Sequence, residues 1–133
     1  MQAEINATGP LSWMRDSIDA LVARVNVQYQ LDLTPESRRF VYIRYDQDGL
    51  IDWHSDYDFQ TQHPRKISVT VQLSAPQTYT GGALEFHPYG ELPMSKIQGT
   101  AVVFPSWVVH RACAVSSGVR RALVAWYSGP HLR

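Results

Sequence analysis

Residues 39–56 read RFVYIRYDQDGLIDWHSD. Two short runs, Arg39 to Tyr45 and Ile51 to Asp56, are rich in Val, Ile, Tyr and Phe, and Asp46-Gln47-Asp48-Gly49 separates them. β-branched and aromatic residues fit a pleated surface, whereas Asp, Asn and Gly tolerate the backbone of tight turns, so this stretch predicts two strands and a turn. The same alternation of run and turn continues through Ile67 to Leu73, Ala83 to Phe86, Thr100 to Phe104, Val108 to Val115 and Arg120 to Tyr127. Gln62-His63-Pro64, Gly81-Gly82, Pro88-Tyr89-Gly90, Pro105-Ser106 and Ser116-Ser117-Gly118 punctuate it. Short strands without intervening helices predict a mainly β double-sheet jelly roll or small barrel rather than βαβ units.

Upstream, the period changes. Leu11, Met14, Ile18, Leu21, Val22 and Val25 form one stripe at helical spacing between Pro10 and Asn26. Pro10 suits a first helical position, and Thr8 or Gly9 can cap it. The 133 residues, 44% apolar, are enough for one core and too few for two, so the expectation is a single domain with a helix at about 10–26 and a β core at about 38–128.

Composition narrows the function classes. Twelve basic residues balance twelve acidic ones, so no net field draws the chain to nucleic acid or an anionic membrane. One cysteine, Cys113, excludes an intramolecular disulfide and suits a reducing compartment. No run approaches the roughly 20 apolar residues of a membrane span. A soluble, cytoplasmic protein without nucleic-acid or membrane partners is expected.

His54-Ser55-Asp56 carries the chemistry. Residues i and i+2 of a strand share a face, so His54 and Asp56 can reach one metal ion, with His110 as the candidate third ligand. Two imidazoles and one carboxylate suit Fe(II) with coordination positions left open. A three-residue loop at Ser116-Ser117-Gly118, with Gly118 left-handed, would place Arg120 across a hairpin from Ala114 on the face of His110; a two-residue loop would substitute Arg121. The first register leaves about 13 Å along the strand between His110 and Arg120, room for a small dicarboxylate clamped by a guanidinium fork.

Taken in order, Tyr45, Gly49, His54-x-Asp56, Gly81-Gly82, His110, Gly118, Arg120 and Trp126 resemble the prolyl 4-hydroxylase-like branch of the Fe(II)- and 2-oxoglutarate-dependent dioxygenases. The resemblance implies a double-stranded β-helix of jelly-roll or cupin-like type, with Fe(II) held by His54, Asp56 and His110. It implies 2-oxoglutarate and O2 as co-substrates, the former clamped by Arg120 with Tyr45 beside it, and ascorbate as a candidate stimulant. No catalytic residue beyond the metal centre is implied. The expected reaction is hydroxylation of an unactivated C–H bond in a prolyl residue, an amino acid or a small metabolite. Asp56 argues against halogenation, because related halogenases carry a small residue there.

Two competing readings are a cupin-type metalloenzyme that does not use 2-oxoglutarate and a metal-free jelly-roll ligand-binding module. Arg120 discriminates against the first, which does not require it; the three ligand residues together with the clamp argue against the second, and a metal titration decides it. His63, His87 and His131 are read as loop residues, with His87 able to approach a substrate; Cys113, Trp53 and Trp107 as packing groups; Arg121, Asp52 and Asp58 as solvated charges. The loops Tyr57 to Pro64 and Pro88 to Gln98 are expected to set substrate choice. Many relatives carry more helix ahead of the sheet than the roughly 37 residues here, so either a homodimer or a wide active-site mouth is expected.

Overall fold

In the computed structural model, which describes residues 1–34 and 36–132, the segment Arg65–Gln72 has two unlike faces. Ile67, Val69 and Val71 point to one side and Ser68, Thr70 and Gln72 to the other, as strand alternation requires. That strand is β4. The strands before it are β1 (Gln2–Ile5), β2 (Arg38–Tyr45) and β3 (Ile51–His54). After it come β5 (Tyr79–Gly81), β6 (Leu84–Phe86), β7 (Gly90–Glu91), β8 (Ala101–Pro105), β9 (His110–Ala112), β10 (Val115–Gly118) and β11 (Arg120–Ser128). The larger sheet runs β1-β2-β11-β4-β8, the smaller β3-β9-β6-β7, and β10 pairs with β5. The mainly β jelly-roll architecture is as expected.

The two faces of the larger sheet are covered differently. On one side Phe40, Ile67, Val69, Leu123, Ala125 and Tyr127 pack against Ile18 and Val22 of the helix α1 (Ser12–Tyr29). On the other, Val41, Ile43, Tyr45, Ala122 and Val124 meet Tyr79, Ala112 and Val115. The register Arg120↔Tyr45, Ala122↔Ile43 and Val124↔Val41 aligns these inner residues across β11 and β2. Tyr127 donates a 2.6 Å hydrogen bond to Asp19 Oδ1, and Arg38 pairs with the same oxygen at 3.0 Å, fastening α1 to the sheet.

α1 outlasts the predicted helix by three residues and ends where Gln30 turns left-handed and its N–H caps Asn26. Leu11, counted in the apolar stripe, falls in the preceding Gly9–Leu11 turn and is exposed. Four strands were not expected: β1, β5 and β7 are short and mostly polar, with no apolar period to read, and β10 includes Ser116-Ser117-Gly118, which the sequence predicts as a turn.

The predicted hairpin does not form. The run Val108 to Val115 divides between β9 in the smaller sheet and β10 against β5, while β11 pairs with β2 and β4. Gly118 is left-handed as expected (φ +73°), but it turns the chain away from β10, and a Cβ there would collide with the Thr78 carbonyl. No helix among the described residues is long and apolar enough to cross a membrane.

Ile67 is fully buried between α1 and the sheet. Ile67→Ala is expected to destabilise the fold by about 3 kcal/mol, the usual scale for a cavity of that size, measured as a lowered urea midpoint.

Candidate metal centre and adjoining anion clamp

β3 and β9 are neighbours in the smaller sheet, and His54 is the direct cross-strand partner of His110. Their rings lie 4.3 Å apart between centroids. Asp56 arrives differently from the expectation. β3 ends at His54, so the carboxylate is delivered by the bend beyond it rather than by the pleat. Ser106 fixes that bend: its carbonyl accepts from the Asp56 N–H at 2.9 Å, the Tyr57 N–H at 3.1 Å and the Ser55 hydroxyl at 3.2 Å.

The ligand atoms of His54, Asp56 and His110 all lie within 4.8 Å of one another. His54 Nε2 is 3.3 Å from Asp56 Oδ1, and His110 Nε2 is 3.7 Å from Asp56 Oδ2. In each imidazole Nδ1 faces a backbone carbonyl, of Asp52 at 2.7 Å and of Val108 at 2.9 Å. A carbonyl only accepts, so Nδ1 carries the hydrogen and Nε2 presents its lone pair to the cluster. Burial pulls the His110 pKa below the usual histidine range, which favours the neutral, ligating form.

Asp56 is anchored through one oxygen. Ser68 Oγ donates to Oδ2 at 2.7 Å and Trp126 Nε1 donates to it at 3.1 Å. Because the single Ser68 hydrogen is thereby used, Ser106 Oγ must donate to Ser68 across their 2.8 Å contact. Arg65 stacks on the Trp126 ring at 3.7 Å. Two neutral Nε2 donors and a carboxylate held from behind fit a divalent first-row cation, and the outer hydrogen bonds are those that orient ligands at such centres.

The same pocket holds Arg120 and Tyr45, walled by Ile43, Ile51, Leu84, Ala122 and Val124. Arg120 is 4% exposed and joins none of the ion pairs among the described residues. Its Nε donates to Gln72 Oε1 at 3.1 Å, and its guanidinium carbon lies 5.0 Å from the centre of the Tyr45 ring. Burial raises the Tyr45 pKa, with Arg120 offsetting part of the rise. Arg121 is exposed. Alternation along β11, which puts Arg120 in line with Ala122, Val124 and Trp126, makes that choice in place of the hairpin. A buried cation without a carboxylate partner has donors and charge that an anion could take up.

Toward solvent the pocket adjoins an open groove lined by residues 54–60 and Arg65, within the loop expected to govern substrate choice. Tyr57 is buried at its base, whereas Phe59 is 78% exposed. His63 and His87 are exposed, with His87 edge-on to Trp53, and His131 Nδ1 lies 3.3 Å from the Tyr57 hydroxyl. Trp53 and Trp107 are each 41% exposed and so lie outside the core; Trp53 packs on the outer face, under the Arg111 guanidinium at 4.4 Å. Cys113 points away from the site and donates to Glu85, so its setting is polar. Ser68, Gln72 and Ser106 were not singled out from sequence, nor was a role given to Trp126. Ser68, Thr70 and Gln72 alternating with Ile67, Val69 and Val71 is the signal that could have found two of them.

A family model described as the 2OG-Fe(II) oxygenase superfamily matches residues 40–128. A PKHD-type hydroxylase of Parvibaculum lavamentivorans is 38% identical over 89 residues, 66% of this chain and 41% of that protein. The chain spans about two fifths of the length of the curated relatives it matches first. Among solved structures, a Pseudomonas putida prolyl-4-hydroxylase superposes with a TM-score of 0.75 at 21% identity, covering 95% of this chain and 69% of that one. A prolyl hydroxylase from Trichoplax adhaerens, in complex with a hypoxia inducible factor peptide fragment, gives 0.74 at 20% identity, covering 95% and 61%. At these identities the structural likeness concerns the fold.

Ser68→Ala and Trp126→Phe each remove one hydrogen bond to Asp56 Oδ2. Each is expected to weaken divalent-metal affinity by about 10- to 100-fold, read by competition with a chromophoric chelator, with little change in the far-UV spectrum.

Proposed function

Because the chain belongs to the 2OG-Fe(II) oxygenase superfamily, we propose that it is a 2-oxoglutarate-dependent hydroxylase of the prolyl 4-hydroxylase-like branch, acting on a C–H bond of a prolyl or other amino-acid residue in a peptide. In this reading all 133 residues are one oxygenase domain. His54, Asp56 and His110 would hold Fe(II). The chemistry that iron, 2-oxoglutarate and O2 supply together is oxidation of the co-substrate to succinate and CO2 with transfer of one oxygen atom into the substrate C–H bond.

The chain's own residues supply position and charge. Asp52 and Val108 carbonyls keep both imidazoles in the tautomer that can ligate, and Ser68 and Trp126 aim the carboxylate. Arg120 takes the distal carboxylate of 2-oxoglutarate, Tyr45 lies beside it, and the apolar wall between them keeps water from the chain of the co-substrate. The observation that carries the reading is buried Arg120, without a carboxylate partner, in the pocket of the His-Asp-His cluster. A cupin-type metalloenzyme does not require that charge, and a metal-free binding module does not require the His54, Asp56 and His110 cluster beside it.

The open groove beside the metal ligands supports an extended substrate, and a structural neighbour is described with a bound peptide fragment. Balanced charge supports a small-molecule or peptide partner rather than nucleic acid, and one free cysteine supports a reducing, cytoplasmic setting; ascorbate as a stimulant rests on the family resemblance alone. A homodimer is the remaining expectation, which light scattering measures.

Succinate formation from 2-oxoglutarate, with a screen of peptides and amino acids for a gain of one oxygen, tests the reading. His54→Ala, Asp56→Ala and His110→Ala are each expected to lose metal and turnover. Arg120→Leu is expected to keep metal and raise the 2-oxoglutarate KM by about 100-fold, the loss of a charge-assisted pair; Arg121→Leu should be mild. Unchanged metal affinity in all three ligand variants, or the reverse ranking of the arginines, overturns the assignment.

A further inference from the structure

Resting on that reading, we propose that Gln72 is a positioning residue for the co-substrate, selecting which edge of the Arg120 guanidinium receives the distal carboxylate and keeping its positive charge available. A guanidinium can grip a carboxylate side-on, through Nε–H and one Nη–H, or end-on, through both Nη groups. Gln72 Oε1 occupies the Nε–H at 3.1 Å, so the end-on edge is the one left for a ligand.

The orientation of the amide follows from its partners. Gln72 Nε2 donates to the Tyr79 hydroxyl at 2.8 Å and to the Ser74 carbonyl at 3.1 Å, and both atoms can accept. A flipped amide would set its NH2 against the Nε–H donor of Arg120 and its oxygen against a carbonyl, losing two bonds. The network is buried, with Gln72 3% and Tyr79 6% exposed, so it does not trade partners with water. Gly82 confines the arginine stem from the side: a Cβ there would lie 3.2 Å from both Arg120 Cδ and Tyr79 Cε2.

The neutrality of Gln72 is the second half of the argument. A carboxylate at this position would satisfy the same Nε–H but neutralise the guanidinium from within, leaving the Arg120 end of the pocket no net charge with which to attract a distal carboxylate. Gln72→Glu therefore separates orientation from charge, and Gln72→Met, of similar size, removes both polar atoms. Affinities are measured by calorimetry on the manganese-loaded chain with two probes, 2-oxoglutarate and 2-oxopentanoate. The second has the same length and the same 2-oxo acid head but no distal carboxylate.

Wild type is expected to prefer 2-oxoglutarate strongly. Gln72→Met should reduce that preference roughly tenfold and Gln72→Glu on the order of a hundredfold, with 2-oxopentanoate affinity unchanged in both. A purely structural role would lower both affinities together, and that outcome overturns the proposal, as does a wild-type preference ratio in both variants. If wild type itself does not distinguish the two acids, the Arg120 clamp has failed and the role of Gln72 falls with it. A measurement on the wild-type, zinc-loaded chain needs no variant to fold: the Arg120 Nε–H resonance should exchange slowly with water and stay in place when 2-oxoglutarate is added, while the Nη resonances shift. An Nε–H that exchanges freely, or that moves with the Nη groups, overturns the proposal.

Discussion

Ser68 and Gln72 lie on the same face of β4, and between them they hold both charged ends of the pocket. Ser68 donates to Asp56 at the metal-binding end, and Gln72 accepts from Arg120 at the other. Four residues of extended chain separate them, about 13 Å at roughly 3.3 Å per residue, and the Asp56 and Arg120 side chains extend from these two points. Thr70 stands midway and faces the pocket. Since β4 is paired on both sides, with β11 and β8, its register does not slide without breaking two ladders. The span between metal site and clamp is thus fixed by a strand repeat rather than by a loop.

The two ends solve opposite electrostatic problems. At one, a carboxylate lies between imidazoles whose Nδ1 hydrogens are committed to carbonyls, so the three groups turn both Nε2 atoms and a carboxylate oxygen toward one point. At the other, a guanidinium meets a neutral amide and an aromatic ring. Burying either charge is costly unless it is hydrogen-bonded and matched by a counter-charge. The hydrogen bonds are already present in the protein, whereas the counter-charges are of the kind a divalent cation and an organic anion bring. Preorganisation of this sort places the cost of ordering the site in folding rather than in binding.

Much of this was legible in the sequence, and the exceptions have definite causes. The runs around Arg39–Tyr45 and Arg120–Tyr127 announce strands because they are long and apolar on both faces, as central strands covered by a helix and a second sheet must be. Selecting Arg120 over Arg121 came from a hairpin that the chain does not make, yet the residue is the one the pocket contains, because alternation along β11 alone fixes its side. Asp56 was placed by pleat parity, whereas a bend held by the Ser106 carbonyl delivers it; a backbone acceptor fifty residues away leaves no local trace. Ser68 and Gln72 escaped notice because a single Ser or Gln in a strand carries no chemistry until its partners are known.

The coverings of the sheet decide where a substrate can enter. α1 packs on the outer face of the larger sheet, and the smaller sheet packs across the inner face, so the pocket reaches solvent along residues 54–60 and Arg65. That rim is built in two tiers. Its base is tied down: Tyr57 is buried and its hydroxyl accepts from the Leu132 N–H, while the backbone beside it is bonded to Ser106. Above it, Asp58, Phe59 and Gln60 are exposed, with the Phe59 ring edge-on to Tyr57 at 4.6 Å between centroids. The hydrogen bonds that aim Asp56 come from Ser68, Trp126 and Ser106 and involve none of these three side chains, so the rim can vary in sequence while the cluster behind it is held.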